Sequence, residues 1–333
     1  MATIYQVSEM AGVSLSTVSR VLNDNDYVSK KTKKKVLEAM KELGYQPSSI
    51  ARSLASSTTN SVGILVSELD GPFFGQMMSA IEEHLRIAGK HVIITPGHSD
   101  EKKEKSGFEF LIGRNCDAII AHVEAVSNEY LIELSKGKTP IYLMSRYVKE
   151  IEENCISLDN VMGGYLATKA MINKGHKNIA YIAGPQFKED ASNRLKGHKQ
   201  ALAEYNITFD ENLYYVGDFK ETGGSDGLRH FIQNKAQITA LVCANDEMAS
   251  GAMKYAREHG FNLPKDLAII GFDNVIFTNY LYPTLTTIDN PVPEMGRAAA
   301  NLVLKDIYKK SGITVKHVFQ PKLILRDSTP DIN

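Results

Sequence analysis

From residue 61 onward, short β-branched apolar runs alternate with amphipathic stretches. Runs that read as buried strands are VGILV (62–66), HVIIT (91–95), DAIIA (117–121), PIYLM (140–144), NIAYIAG (178–184), ALVCA (240–244) and LAIIGF (267–272). Helical periodicity marks roughly 74–88, 102–112, 128–136, 162–174, 191–205, 222–233 and 246–259. Strand and helix in strict alternation predict parallel sheets joined by crossover helices. Two such series, 61–159 and 160–290, predict two doubly wound lobes, with a ligand crevice where strand ends meet. A last helix near 292–310 and strands near 314–326 are expected to return to both lobes.

The first sixty residues follow a different rhythm. Thr3 is placed to cap a helix to about Met10, with Ile4, Val7 and Ala11 on one face. Gly12 permits a tight turn, and Ser14 is placed to cap a second helix from Leu15 to Leu22. In that helix Val18, Val21 and Leu22 point inward, and Leu15, Ser16 and Arg20 point outward. Ser29 starts a third helix with Val36, Ala39, Met40 and Leu43 inward, and Gly44 follows it. Two short helices on a glycine turn, locked by a third, make a helix-turn-helix.

Charge supports that reading. The net charge of −1 conceals an asymmetry, because residues 1–60 hold eight Lys/Arg and five Asp/Glu, a net of +3. The remainder is therefore −4. A basic module on an acidic body points to nucleic acid as the first module's partner. Arg20 offers a fork for a guanine edge, Leu15 an apolar contact and Ser16 a hydrogen bond. Thr3, Ser14, Ser19, Asn23 and Thr32 are small donors suited to phosphates, beside the lysine cluster at 30–35.

Composition excludes several classes. Length predicts about two domains or more. No run approaches the ~20 apolar residues of a membrane span, and the N-terminus lacks a secretory signal, so a cytoplasmic chain is expected. Cys116, Cys155 and Cys243 show no metal or disulfide spacing and are expected to be buried free thiols. The histidines lack an H-E-x-x-H pattern, and no phosphate-binding P-loop occurs. GGSDG at 223–227 spells a nucleophile elbow but reads as a loop entering a helix, without the strand that an elbow requires. Neither an enzyme nor a resident cofactor is expected.

The run from Thr3 to Ala55, with AGVS, TVSRVLN, LGYQP and ARSLA in order, resembles the DNA-binding headpiece of the LacI/GalR family of bacterial repressors. The resemblance continues through DGPFF (70–74), LDN (158–160), KGHKNIAYIAGP (174–185), NRLKGHKQAL (193–202), ANDEMASGAM (244–253), IIGFDN (269–274) and PTLTTID (283–289). It implies an all-α helix-turn-helix headpiece at 1–46, a hinge at 47–60, and a two-lobed α/β core of periplasmic-binding-protein type at 61–333. Lobe one would take about 61–159 plus 292–319, and lobe two about 160–290 plus 320–333.

Residue by residue, the resemblance makes Leu54 the hinge wedge in the minor groove and places Ala51 against it. In the cleft, Arg194 would fork two sugar hydroxyls, Asn245 and Asp273 would hold others, Phe219 would stack on the sugar face and Phe73 would close the first-lobe side. Ser145, Arg146 and Asn290 are further candidates, and Asp159 would lie at a lobe crossing. Two alternatives stand beside these roles: an interlobe salt bridge between Arg194 and Asp273, and a flat base sandwiched by Phe73 and Phe74.

Within the family, DGPFFGQMMSAIE, RNCDAIIAHVEA and ENCISLDN resemble the galactose repressor and isorepressor subgroup. LMSR at 143–146 replaces that subgroup's usual LINR, and Leu15-Ser16 replaces its valine-alanine pair at base-reading positions. The expectation is a repressor that binds a palindromic operator as a homodimer and is released by a galactose-like sugar. A repressor for a β-glucoside or other hexose, a corepressor-dependent regulator, and a sugar-binding enzyme or transport receptor are the alternatives. No heptad-bearing helix follows PKLILRDSTPDIN, so a dimer without an added coiled coil is expected.

Overall fold

The computed structural model describes residues 2–22, 27–45 and 58–331. The chain divides into two compact units, Met1–Asn60 and Ser61–Asn333.

In the first unit, α1 (Ile4–Ala11), α2 (Leu15–Leu22) and α3 (Lys30–Glu42) enclose a small core of Val7, Ala11, Val18, Val21, Val36 and Ala39. Local chemistry sets each boundary. Thr3 and Gln6 form a reciprocal capping box on α1, and Gly12 ends it at φ +65°. Ser14 Oγ accepts from the Thr17 amide (3.2 Å), and Ser29 caps α3 by accepting from Thr32.

The second unit holds two six-stranded sheets. The strands of lobe one are β1 (Ser61–Val66), β2 (His91–Pro96), β3 (Ala118–Ala121), β4 (Ile141–Met144) and β5 (Cys155–Leu158). The strands of lobe two are β6 (Ile179–Ala183), β7 (Tyr214–Val216), β8 (Ala240–Cys243), β9 (Ala268–Asp273) and β10 (Thr286–Asp289). Two short final strands, β11 (Val318–Phe319) and β12 (Lys322–Ile324), join the first and second sheet respectively. The orders are β11-β5-β4-β3-β1-β2 and β12-β10-β9-β8-β6-β7, parallel throughout except for the antiparallel β10–β12 pair.

Helices cover these sheets: α4 (Pro72–Ile87), α5 (Glu101–Gly113) and α6 (Asn128–Ser135) in lobe one, then α7 (Asn160–Asn173), α8 (Glu189–Glu204), α9 (Glu221–Gln233) and α10 (Asp246–Glu258) in lobe two. α11 (Val292–Asp306) returns to pack on α4. In β1, Val62, Ile64 and Val66 join the layer that includes Met77 and Ile81 of α4, whereas Leu65 faces Phe108 and Leu111 of α5. Burial on both faces explains the unbroken apolar runs of β1, β3, β4, β6, β8 and β9; β2, whose HVIIT run also reads as a buried strand, lies at the sheet edge and has no buried residue.

Strict alternation of strand and helix fails twice. β4 reaches its neighbour β5 through a 3-10 segment, Lys149–Asn154, and β9 reaches β10 past another, Ile276–Asn279. The strands β5, β7 and β10 were not signalled by apolar runs. They are three or four residues long, and Thr286 and Thr287 are buried as hydrogen-bonded hydroxyls rather than as apolar side chains. α11 ends at Asp306 rather than near 310, and Lys309 turns to φ +54°. All three cysteines are buried and free. Among the described residues, no helix is long and apolar enough to cross a membrane.

Candidate functional sites

On α2, Leu15, Ser16 and Arg20 are exposed while Val18 and Val21 are buried beneath them. Ser19 is half-buried, one turn from Leu15 on the same face. Ser14 Oγ lies within hydrogen-bond distance of Ser16 Oγ (2.8 Å) and Thr17 Oγ1 (2.9 Å). Thr3 is the N-cap of α1 and Thr32 lies in the first turn of α3, at N-termini that favour anions. On α3, Lys30, Lys31, Lys34 and Lys35 are exposed, and among the described residues the 3.8 Å Lys34–Glu38 contact is the one that pairs any of these four with an acid. Asn23, Ala51, Leu54 and the hinge segment up to residue 57 lie outside the described residues.

The second site is a cleft between the two lobes of the core, about 690 Å³ including the part open to solvent. Phe73, Arg194, Phe219, Asn245 and Asp273 all line it. Phe219, Asn245 and Asp273 sit at or just beyond the carboxyl ends of β7, β8 and β9, where α/β sheets open toward ligands, while Phe73 lies in the first turn of α4 and Arg194 in the second turn of α8.

Arg194, on α8, is buried. Its Nε donates to Asn160 Oδ1 (2.9 Å) and its Nη1 to the Ala244 carbonyl (2.6 Å), while its Nη2 faces Asp273 (3.5 Å) and Asp190 (3.6 Å). The guanidinium lies 3.7 Å over the Phe272 ring. Close helix packing fixes it: a Cβ on Gly164 of α7 would stand 1.9 Å from the Arg194 carbonyl oxygen, and one on Gly197 of α8 1.9 Å from that of Val161. Only glycine at both positions lets the helices approach this far.

Asp273 ends β9 at φ +110° and accepts from Asn290 Nδ2 (3.1 Å). Burial pushes its carboxyl up to about 6, against the opposing pull of Arg194 and Asn290. Beneath it, Asp246 is buried more deeply, and burial and the Asp273 charge hold its carboxyl well above the usual range. Thr287 Oγ1 donates to Asp246 at 2.6 Å.

Asn245 caps α10 through its Oδ1 and donates from Nδ2 to the Phe219 carbonyl (2.8 Å). This bond holds Phe219 at φ +68°, with its ring over Gly184. Such backbone costs about 1–3 kcal/mol and persists where neighbours enforce it. Phe73 follows Pro72 in the first turn of α4 and meets Phe74 edge to face, with ring centroids at 5.2 Å and planes at 87°.

Two expectations change here. Arg194 and Asp273 both belong to lobe two, so their contact is not an interlobe bridge, and perpendicular rings at Phe73 and Phe74 do not form a slot for a flat base. Asp159 caps α7 at the first lobe crossing, where its amide donates to the Phe319 carbonyl (3.0 Å). Ser145 and Arg146 line an adjoining cavity instead. Ser225, from the elbow-like GGSDG, lies inside α9 and donates to the Gly251 carbonyl (2.9 Å), without a preceding strand turn.

The pairs that do join the lobes escaped sequence reasoning. Lys188, before α8, meets Glu124, after β3, at 2.7 Å, and Ser99 bonds to both. Lys220 closes on Glu68 after β1. Burial would raise the Glu124 carboxyl, but His122, Lys188 and Ser99 together hold it below the usual range. Glu68 holds the Lys220 ammonium above its ordinary value in spite of burial. Their signal was positional, since all four follow strand ends in the order β1, β3, β6 and β7.

Comparison with known proteins identifies the family. Residues 3–48 match the family of bacterial regulatory proteins, lacI family, and residues 168–329 match a periplasmic binding protein-like domain. The HTH-type transcriptional regulator GalR of Salmonella typhimurium is 37% identical over 328 residues, covering 98% of this chain and 96% of its own. A lac repressor dimer bound to operator and the anti-inducer ONPF superimposes with a TM-score of 0.87 at 26% identity, covering 99% of each chain. A complex of the transcriptional regulator CelR with cellobiose gives 0.72 at 29% identity, covering 98% of this chain and all of that one. With a helix-turn-helix unit, a two-lobed parallel core and matches that span its length, this chain belongs to the LacI/GalR family of bacterial DNA-binding transcriptional regulators.

Proposed function

We propose that this regulator represses transcription as a homodimer on a palindromic operator, and that an uncharged galactose-like hexose in the cleft releases it. The headpiece at 1–46 would read DNA, with Arg20, Leu15 and Ser16 at base edges and Thr3, Ser14, Ser19, Asn23 and Thr32 at phosphates. The segment 47–60 would order on DNA, with Leu54 as the wedge and Ala51 beside it. The core at 61–333 would bind the effector and the partner protomer. A single headpiece offers too small an interface for specific affinity, which favours the dimer.

The observation that carries the ligand reading is the convergence of Arg194, Asn245 and Asp273 around the half-buried Phe219 ring at the strand ends. A hexose presents hydroxyls around an apolar C–H face and needs that combination. Eight carboxyl side chains and three Lys/Arg line the cleft, which disfavours phosphorylated sugars. Perpendicular Phe73 and Phe74 disfavour a stacked purine corepressor. Release requires the sugar to bind one lobe arrangement better than the other.

The test is fluorescence anisotropy of labelled operator selected from a palindromic pool, repeated with D-galactose, other hexoses and purines. The chain has no tryptophan, so the label belongs on the DNA. Release by galactose supports the full reading. Release by another hexose moves the ligand to a relative, and tightening by any of these compounds makes the protein corepressor-dependent.

A further inference from the structure

Asp273 meets the cleft from a turn that its own backbone does not favour. Asp273 at φ +110° and Asn274 at φ +55° are consecutive non-glycine residues with left-handed backbone. Such a pair persists only where surrounding groups enforce it, and it marks a backbone held for the side chain it carries.

The enforcing groups are buried behind the turn. Asp246, the first residue of α10, is 1% exposed, and its Oδ2 accepts from the Val275 amide at 3.0 Å. Its Oδ1 accepts from Thr287 Oγ1 at 2.6 Å, and that hydroxyl oxygen accepts in turn from the Asn274 amide at 3.3 Å. One buried pair, Asp246 and Thr287, thus takes up both amides that follow Asp273. The Asn274 side chain is clamped as well, donating to Asp289 (2.8 Å) and accepting from Arg326 (2.7 Å). The sheet makes room for this brace, since a Cβ on Gly271 of β9 would stand 2.1 Å from Asp246 Oδ1.

Two neighbouring residues at the start of α10 therefore hold two left-handed positions of the cleft. Asn245 bonds the Phe219 carbonyl, and Asp246 bonds the turn that follows Asp273. We infer that Asp246 is a positioning residue for the effector: it makes no contact with the ligand and acts by fixing the Asp273 carboxylate beside Arg194 and Asn290, where a sugar hydroxyl can reach it. The inference rests on the sugar-released reading above and adds a residue that works through another.

Burial and the Asp273 charge hold the Asp246 carboxyl well above the usual range. A neutral amide of the same shape can therefore replace it, with the amide oxygen accepting from Val275 and the NH2 facing Thr287. Asp246→Asn is thus the conservative variant, and Asp246→Ala removes the brace.

Isothermal titration calorimetry of the full-length protein with D-galactose, D-glucose and D-mannose tests the inference as a double-mutant cycle, with scanning calorimetry to show that each variant is folded. Asp246→Ala should weaken the hexose that wild type binds by about tenfold or more, and Asp246→Asn should stay within about threefold of wild type. In an Asp273→Ala background, which already lacks the carboxylate, Asp246→Ala should add no more than about a twofold loss. Thr287→Val keeps the side-chain volume while removing the hydroxyl, and it should follow the same pattern; it decides the question if Asp246→Ala does not fold. Losses that multiply in the Asp273→Ala background would mean that Asp246 acts independently of Asp273, and they overturn the inference. So does an Asp246→Asn variant that binds as weakly as Asp246→Ala. If Asp273→Ala binds like wild type, Asp246 has no contact to position, and the inference falls while the sugar reading stands. Absence of binding by wild type to all three hexoses overturns both together.

Discussion

Replacing Gly184 by alanine tests the Phe219 plate without touching a residue assigned to the ligand. A Cβ there would stand 2.2, 2.5 and 2.6 Å from three carbons of the Phe219 ring. Carbon atoms rest about 3.5–4.0 Å apart, so the ring must move by roughly 1.5 Å. The Gly184 backbone lies outside the left-handed region, so alanine itself adds no φ strain. The ring cannot drop into the sheet and has only the cleft to enter. One face of a phenylalanine is about a third of the ~150–250 Å² that the residue buries. At ~25 cal/mol per Å², losing that face costs about 1.3–2 kcal/mol, or roughly a 10- to 30-fold rise in effector Kd. Overpacking costs about 1–3 kcal/mol of fold stability, a fall of a few degrees in the melting temperature of the core. Calorimetric titration gives Kd, scanning calorimetry gives Tm, and anisotropy without effector should show operator affinity within twofold of wild type. In the Gly184→Ala background, Phe219→Leu should restore Tm by relieving the clash while affinity stays low. An effector Kd within twofold of wild type in Gly184→Ala would refute the stacking role.

Asp273 sets a pH dependence. Its folded value, raised to about 6, means that ionisation works against the fold: the penalty is absent below the unfolded value near 4 and grows as pH rises through 6. An ionised Asp273 is the better hydroxyl acceptor, so effector affinity should strengthen between pH 5.5 and 7.5. Asp273→Asn should flatten that profile in titration calorimetry, and an unchanged slope would remove Asp273 from the binding step. Glu124→Gln leaves Lys188, with 14% of its side chain exposed, without its carboxylate. Losing this cross-lobe pair should cost the lobe arrangement seen here about 3–5 kcal/mol, read as a larger radius of gyration in small-angle scattering. The Glu124 carboxyl is depressed, so its stabilisation holds above the ordinary carboxylate value and fades as pH falls through the depressed one. In the headpiece, Arg20→Ala should cost about 1–3 kcal/mol on the selected operator and relax preference at one base pair. A uniform loss across all sequences would make Arg20 a phosphate contact instead.

Much of this architecture was legible because burial on both faces of a parallel strand leaves an apolar run that nothing else in the chain imitates. VGILV and ALVCA are strands within a residue of where the pattern put them. The polar strand β10 was not legible in that way, since Thr286 and Thr287 satisfy their hydroxyls inside the core and leave no apolar run in the sequence. The same limit explains the interlobe pairs. Lys188, Lys220, Glu68 and Glu124 look like solvated surface charge until two separate sheets bring their strand ends face to face. Sequence periodicity reports which face of an element is buried, but it carries no information about which strand end opposes which across a cleft. The residues that close the lobes are therefore invisible to pattern, although Arg194 and Asp273, inside one lobe, were already marked. A ligand that bridges the cleft competes with or reinforces those same cross-lobe contacts, each partly buried and each carried by a strand-end loop. An effector can shift the lobe equilibrium only by the difference it makes to them. On the proposed function, the hidden ion pairs, more than the legible candidate sugar contacts, would thus set how far an effector can move the lobes.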